Sequence, residues 1–146
     1  MAGVLRIEAE CDWDSECALW VSIRSGSFGG RGRAWVHALD IVEFGESLGR
    51  LADTGQGEAK VGGGYGMKGG WHATVQLRVA PIGKRGYMRA VAELTSDPFG
   101  DDPRSLHRVV AAIDVEPAAL QVLAAELRKA GPAKSVTAEV SGECAV

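Results

Sequence analysis

The sequence contains no apolar run approaching the roughly 18 to 20 residues needed to span a bilayer. Residues 1–10 also lack the basic start and apolar stretch of a signal peptide. Both absences predict a cytoplasmic chain without a membrane partner. Positive charge is not in excess: 16 lysines and arginines face 19 aspartates and glutamates, a net −3. No long-range field therefore draws nucleic acid, and any such contact must rest on a local patch. Cysteine is scarce and odd in number, at Cys11, Cys17 and Cys144. Two of these flank an acidic stretch instead of forming a tight pair, which predicts reduced thiols in a reducing compartment.

The motifs of several common chemistries are missing too. A closed zinc site draws on short-spaced pairs such as CxxC or HxxxH, because one turn must present two ligands to one ion. His37, His72, His107 and the three cysteines form no such pair, so no metal is expected. Residues 62–70, Gly-Gly-Gly-Tyr-Gly-Met-Lys-Gly-Gly, invite comparison with a phosphate-binding loop. However, Met67 separates Gly66 from Lys68, no Ser or Thr follows, and the next segment reads as a strand. This stretch reads instead as a flexible loop or hairpin connection, and no cofactor is expected. No GxSxG elbow marks an activated serine, and no residue is assigned a catalytic role.

What is present describes an ordinary globular chain. With 146 residues, 46% apolar and 24% charged, it fits one domain spanning 1–146 that needs no metal or disulfide to fold. The 20 glycines are about twice the usual share of roughly 7%, and much of the excess lies in a connection at 55–70. Alternation predicts strands at 4–9, 19–23, 28–39, 71–79, 87–95, 106–115 and 135–140, with tight turns at 25–27 and 81–86. Residues beyond 140 read as loose.

One pattern occurs twice: an apolar run, an acid, then a short amphipathic helix. Val36 and Leu39 lead to Asp40, followed by Phe44, Leu48 and Leu51; Val109 and Ile113 lead to Glu116, followed by Leu120, Leu123 and Leu127. Asp40 and Glu43 have capping-box spacing, which predicts a helix over 41–52. Pro117 opens a second helix that runs to about 129, before Gly131 and Pro132. Gly45 and Gly49 within the first helix point to close approach against a sheet. The expected fold is α+β, an antiparallel sheet meander with both helices packed on one face. Its strand–helix pseudo-repeat halves fall at about 1–54 and 71–131, and either duplication or an economical way to end a meander would produce them.

Two clusters are left for function. Glu8, Glu10, Asp12, Asp14 and Glu16 surround Trp13, and a second acidic loop holds Phe99 beside Asp97, Asp101 and Asp102. An apolar anchor rimmed by carboxylates suits a basic protein partner; the bland alternative is a pair of solvated loops. Opposite in sign, Arg31, Arg33, Trp35 and His37 share one face of their strand, near Trp20. Cations interleaved with rings suit single-stranded nucleic acid, although the rings would equally sit under the helices, with the arginines snorkelling or pairing to acids.

The element order, with an aromatic strand ending in Asp40, the Phe44–Leu48–Leu51 helix, a second meander and the Leu120–Leu127 helix, resembles small bacterial toxin-immunity proteins of the WapI type. The resemblance covers about residues 19–130 and rests on core positions, so it carries over no functional residue. It implies a non-catalytic protein that binds one protein tightly. The first reading is therefore a protein-binding module using Asp12, Trp13, Asp14, Phe99, Asp101 and Asp102. Nucleic-acid binding through Trp20, Arg31, Arg33 and Trp35 is the second, and an enzyme using His37 or His72 as a base is the third. An exposed edge or sheet face would also allow a homodimer.

Overall fold

The computed structural model describes residues 2–67, 70–83, 86–96 and 107–145. In chain order the elements are β1 (Ala2–Cys11), β2 (Glu16–Ser25), β3 (Phe28–His37), α1 (Ala38–Thr54), β4 (Ala59–Met67), β5 (Gly70–Pro81), β6 (Met88–Thr95), β7 (Arg108–Val115), α2 (Pro117–Leu127) and β8 (Ser135–Cys144). Every pairing is antiparallel. The α+β class therefore holds. The sheet does not stay open, however: its eight strands close into a barrel.

Closure explains the alternation. Leu5, Ile7 and Ala9 of β1, Leu19, Val21 and Ile23 of β2, and Ala90, Ala92 and Leu94 of β6 are all buried, while the residues between them point outward. An eight-stranded barrel has an interior just wide enough for side chains to fill. Gly32 of β3 fits that crowding, since a Cβ there would sit 3.2 Å from Val75 Cγ2 and 3.3 Å from Leu94 Cβ across the barrel.

The ladder is uneven. β8, β1, β2 and β3 pair along nearly their full lengths, as do β4, β5, β6 and β7. Among the described residues the two groups pair at two seams: β3 and β4 share the pair Trp35↔Gly64, and β7 and β8 share Ile113↔Cys144 and Asp114↔Glu143. Each seam is spanned in sequence by a helix. The helix α1 packs against β3, β4 and α2, and α2 packs against β8 and α1. A buried hydroxyl helps at the first seam, where Thr74 donates to the Arg33 carbonyl.

Residues 141–144, expected to be loose, belong to β8 and pair with β1 and β7, and local chemistry departs from the sequence reading in four further places. First, Asp40 is not the cap of α1. His37 takes that position: its Nδ1 accepts from the Leu39 amide at 3.1 Å, and Asp40, three residues on, accepts from the His37 amide at 3.3 Å. An imidazole nitrogen does here what the expected aspartate would have done, so the helix starts three residues early. Glu116 occupies the cap of α2 without a side-chain cap bond, and Pro117 opens that helix, where a missing N–H costs nothing. Gly55, at φ 68°, ends α1 with its amide on the Leu51 carbonyl.

Second, Gly45 and Gly49 face a helix and not the sheet. A Cβ on Gly45 would lie 3.1 Å from the Ala124 carbonyl oxygen and from Arg128 Cγ, both at α2. Third, the glycine-rich stretch contains a strand, β4, paired with β5 across a register shift at Gly63/Gly64. Glycine hides alternation because it offers no side chain to alternate. Fourth, Cys11 and Cys17 are joined by a disulfide, their Cα atoms 4.0 Å apart. The hairpin register makes them direct cross-strand partners, a proximity that their sequence spacing conceals. The expected reduced pair is overturned, and with it the thiol argument for the cytoplasm; Cys144 is the free cysteine among the described residues. No helix among the described residues is long and apolar enough to cross a membrane.

Candidate functional site

Three surfaces hold the candidate residues. The first is the β1–β2 turn. Asp12 organises it: its Oδ1 accepts from the amides of Asp14 and Glu16, both at 2.9 Å, and its carbonyl accepts from Ser15 and Ala133. Ser15 adopts φ 64°, and its carbonyl takes the Ala38 amide at 2.8 Å, which docks the turn on the start of α1. The Cys11–Cys17 disulfide closes the base. At the tip of this tied loop Trp13 is 84% exposed, with exposed Asp12 and Asp14 on either side. Exposed Leu39 lies in the adjoining first turn of α1. Of the second acidic loop, Asp97, Phe99, Asp101 and Asp102 lie outside the described residues.

The second surface is the outer wall of β1, β2 and β3. The register sets Trp20 between Glu8 and Arg33, and Ser22 between Arg6 and Arg31. Arg31 lies over the Trp20 ring at 4.0 Å, and Arg33 lies 5.1 Å from it and 5.7 Å from the Tyr65 ring. Glu8 pairs with Arg6 at 2.5 Å and with Arg31 at 3.8 Å; Arg6 also reaches Glu139 at 3.2 Å. The Arg6 hydrogen bond is the main cause holding the Glu8 carboxyl below its ordinary pKa, while the Glu8 and Glu139 carboxylates raise Arg6. Trp35 lines the groove beside α1, whereas Trp20, Arg31 and Arg33 do come together on the outside of the barrel. Their charges and faces are largely spent on one another.

The third surface was not legible beforehand: a groove enclosing about 1270 Å³ beside the β3–β4 seam. Trp35, 42% exposed, and His37 come from β3; Asp40, Glu43 and Ser47 come from α1. The glycines of β4, Gly62 to Gly64 and Gly66, supply the floor, flanked by Lys60 and by Gln76 and Arg78 of β5. His37 spends its Nδ1 on the helix cap, and His72 does not line the groove, so the structure does not bring the two candidate bases together there. Among the described residues no cluster of three or more His, Cys, Asp or Glu is arranged to hold a metal ion. The signal that would have pointed to the groove is the spacing of Gly62, Gly64 and Gly66, one residue of every two on a strand.

No protein-family model matches the chain, and neither a curated protein nor a solved structure matches it.

Proposed function

We propose that this chain is a non-catalytic protein-binding module that engages a basic partner through the Trp13 end of the barrel. The carrying observation is Trp13 itself, a large aromatic side chain left 84% exposed on a loop fixed by a disulfide, two Asp12 turn bonds and contacts to residues 38 and 133. A tryptophan on a flexible loop loses entropy when it docks; one already held in place loses less, and tryptophan is enriched among binding hot spots. Asp12 and Asp14 rim it with negative charge, which speeds encounter with a basic surface. An immunity-type protein that sequesters a toxin would be one such module. In this reading both helices lie on one side of the barrel as the ends of two strand–helix halves, which the packing of α1 on α2 supports. A compartment that preserves the disulfide is part of the proposal.

The nucleic-acid reading is weaker because Arg31 already covers the Trp20 ring and Glu8 pairs with both Arg6 and Arg31. The test is affinity capture from the native source with the oxidised full-length chain. One stoichiometric partner is expected, with its retention lowered about tenfold by Trp13→Ala, reduced by Asp12→Asn and by added salt, and unchanged by Phe28→Ala. Phe28 is 69% exposed at the opposite end, where β3 begins after the β2–β3 turn, so it controls for general stickiness. Absence of a stoichiometric partner, or equal retention by Trp13→Ala, would sink the reading.

A further inference from the structure

The groove beside the β3–β4 seam adjoins the Trp13 loop. Glu16, whose amide donates to Asp12 Oδ1, belongs to the turn and also lines the groove. We propose that this groove takes an extended basic segment of the partner, with arginine or lysine side chains turned toward α1 and backbone running over the glycine floor. The proposal rests on the reading of the Trp13 end as a contact with a basic protein.

Charge names the occupant. Glu16, Asp40, Glu43 and Glu58 all line the groove, and none of them is in an ion pair among the described residues. Glu93 also lines it but is held by Arg108 at 2.6 Å. Two cations oppose these four carboxylates, Lys60 and Arg78, which face each other across β4 and β5. Like charges directly opposite are unfavourable when left alone. The backbone carbonyls of an extended chain would give both side chains acceptors, and its basic side chains would meet the carboxylates that have no cation beside them.

Shape names its conformation. Gly62 and Gly66 are exposed, with Gly64 buried between them past the register shift, and the stretch spans about 14 Å of strand, enough to bed roughly four residues of extended chain. Gly64 must be glycine, since a Cβ there would run into the His72 carbonyl, but a Cβ on Gly66 would meet nothing within 4 Å. The space over Gly66 is therefore open and not filled by packing. Trp35, paired with Gly64, stands beside this floor, part exposed, an aromatic side chain of the kind that takes a guanidinium.

The experiment is selection of phage-displayed random decapeptides on the oxidised full-length chain at low salt, followed by titration of a synthetic winner. Trp35→Ala, Glu43→Lys, Gly66→Leu and Trp13→Ala are compared, each after thermal melting shows that it folds. Selection should enrich arginine and lysine. The winner's Kd should weaken about tenfold or more in each folded groove variant, and less than roughly threefold in Trp13→Ala. Gly66→Leu fills open space and Glu43→Lys changes an exposed charge, so the test survives if Trp35→Ala fails to fold. Enrichment of acidic or apolar peptides, no enrichment, or a Kd unmoved by the groove variants overturns the proposal. So does self-association of the chain that Gly66→Leu abolishes, which would assign the groove to a second copy. If partner capture depends on Trp13 and the groove variants change nothing, only the groove proposal fails. If capture is indifferent to Trp13→Ala, the reading of the tip has failed, whatever the peptides do.

Discussion

Glu8 shows how much one outward residue is asked to do. It pairs with Arg6 on its own strand and with Arg31 two strands away, crossing the strand that carries Trp20. Because its folded pKa is depressed, its contribution to stability is fully present above the unfolded value near 4.5 and is lost as pH falls through the lower folded value. Glu8→Gln should therefore flatten the decline of melting temperature as pH falls below about 4.5. The difference should be small and should shrink at high salt, since the pair is exposed. A Glu8→Gln curve parallel to the wild type across that range would contradict this account. His37 makes a different point. The sequence shows an Asp with a Glu three residues later and so suggests a cap at 40, whereas the structure caps with an imidazole, a choice that depends on where the strand stops and that no local spacing reveals.

Among the elements, α1 depends on its neighbour. Gly45 and Gly49 lie four apart on one helix but meet different surroundings, so their substitutions should separate. Gly49→Ala places a Cβ in ordinary contact, no nearer than 3.8 Å. It should raise stability by about 0.5–1 kcal/mol through helix propensity. Gly45→Val pushes a branched side chain into the α2 backbone and should cost about 1–3 kcal/mol; denaturant melts of both variants check the contrast. The β1–β2 hairpin carries the second prediction at this scale. Thiol titration of the unreduced, denatured chain should find one free cysteine, and reduction should cost about 2 kcal/mol, as expected for a short closed loop. Finding three free thiols would remove the clamp from the Trp13 argument. Strands β1, β2 and β6 are legible because every second residue is apolar, at Leu5, Ile7 and Ala9, at Leu19, Val21 and Ile23, and at Ala90, Ala92 and Leu94. β4 and its groove are not, because glycine leaves the pattern blank, and the disulfide is not, because its partners meet only once the hairpin register is fixed.

For the molecule as a whole, the alternation identifies one face of each strand as buried but cannot say whether the sheet closes. Among the described residues the ladder closes through three cross-strand pairs at two seams, joined by the Thr74–Arg33 and Ala145–Ala112 hydrogen bonds, and no residue there carries a local signature. Those seams should be the first places to open. In hydrogen exchange, amides of β1, β2, β5 and β6, flanked by partners on both sides, should be the slowest. The seam-facing amides of residues 28–34 and 108–111 should exchange faster. Uniform protection across all eight strands would show that the seams are stronger than their pairing implies.

The order of strands around the barrel also sets the order of events when the chain is made. β1, β2 and β3 emerge first, yet the strand that completes their group is β8; the bond from Arg6 to Glu139 joins residues 133 apart in sequence. The outer edge of β1 stays bare through synthesis of nearly the whole chain, and such an edge invites pairing with other chains. Contacts of this separation also make folding slow. Arg6, Glu8 and Glu10 on β1 are charges of the kind that, spaced along a waiting edge, discourage the wrong neighbour until β8 arrives.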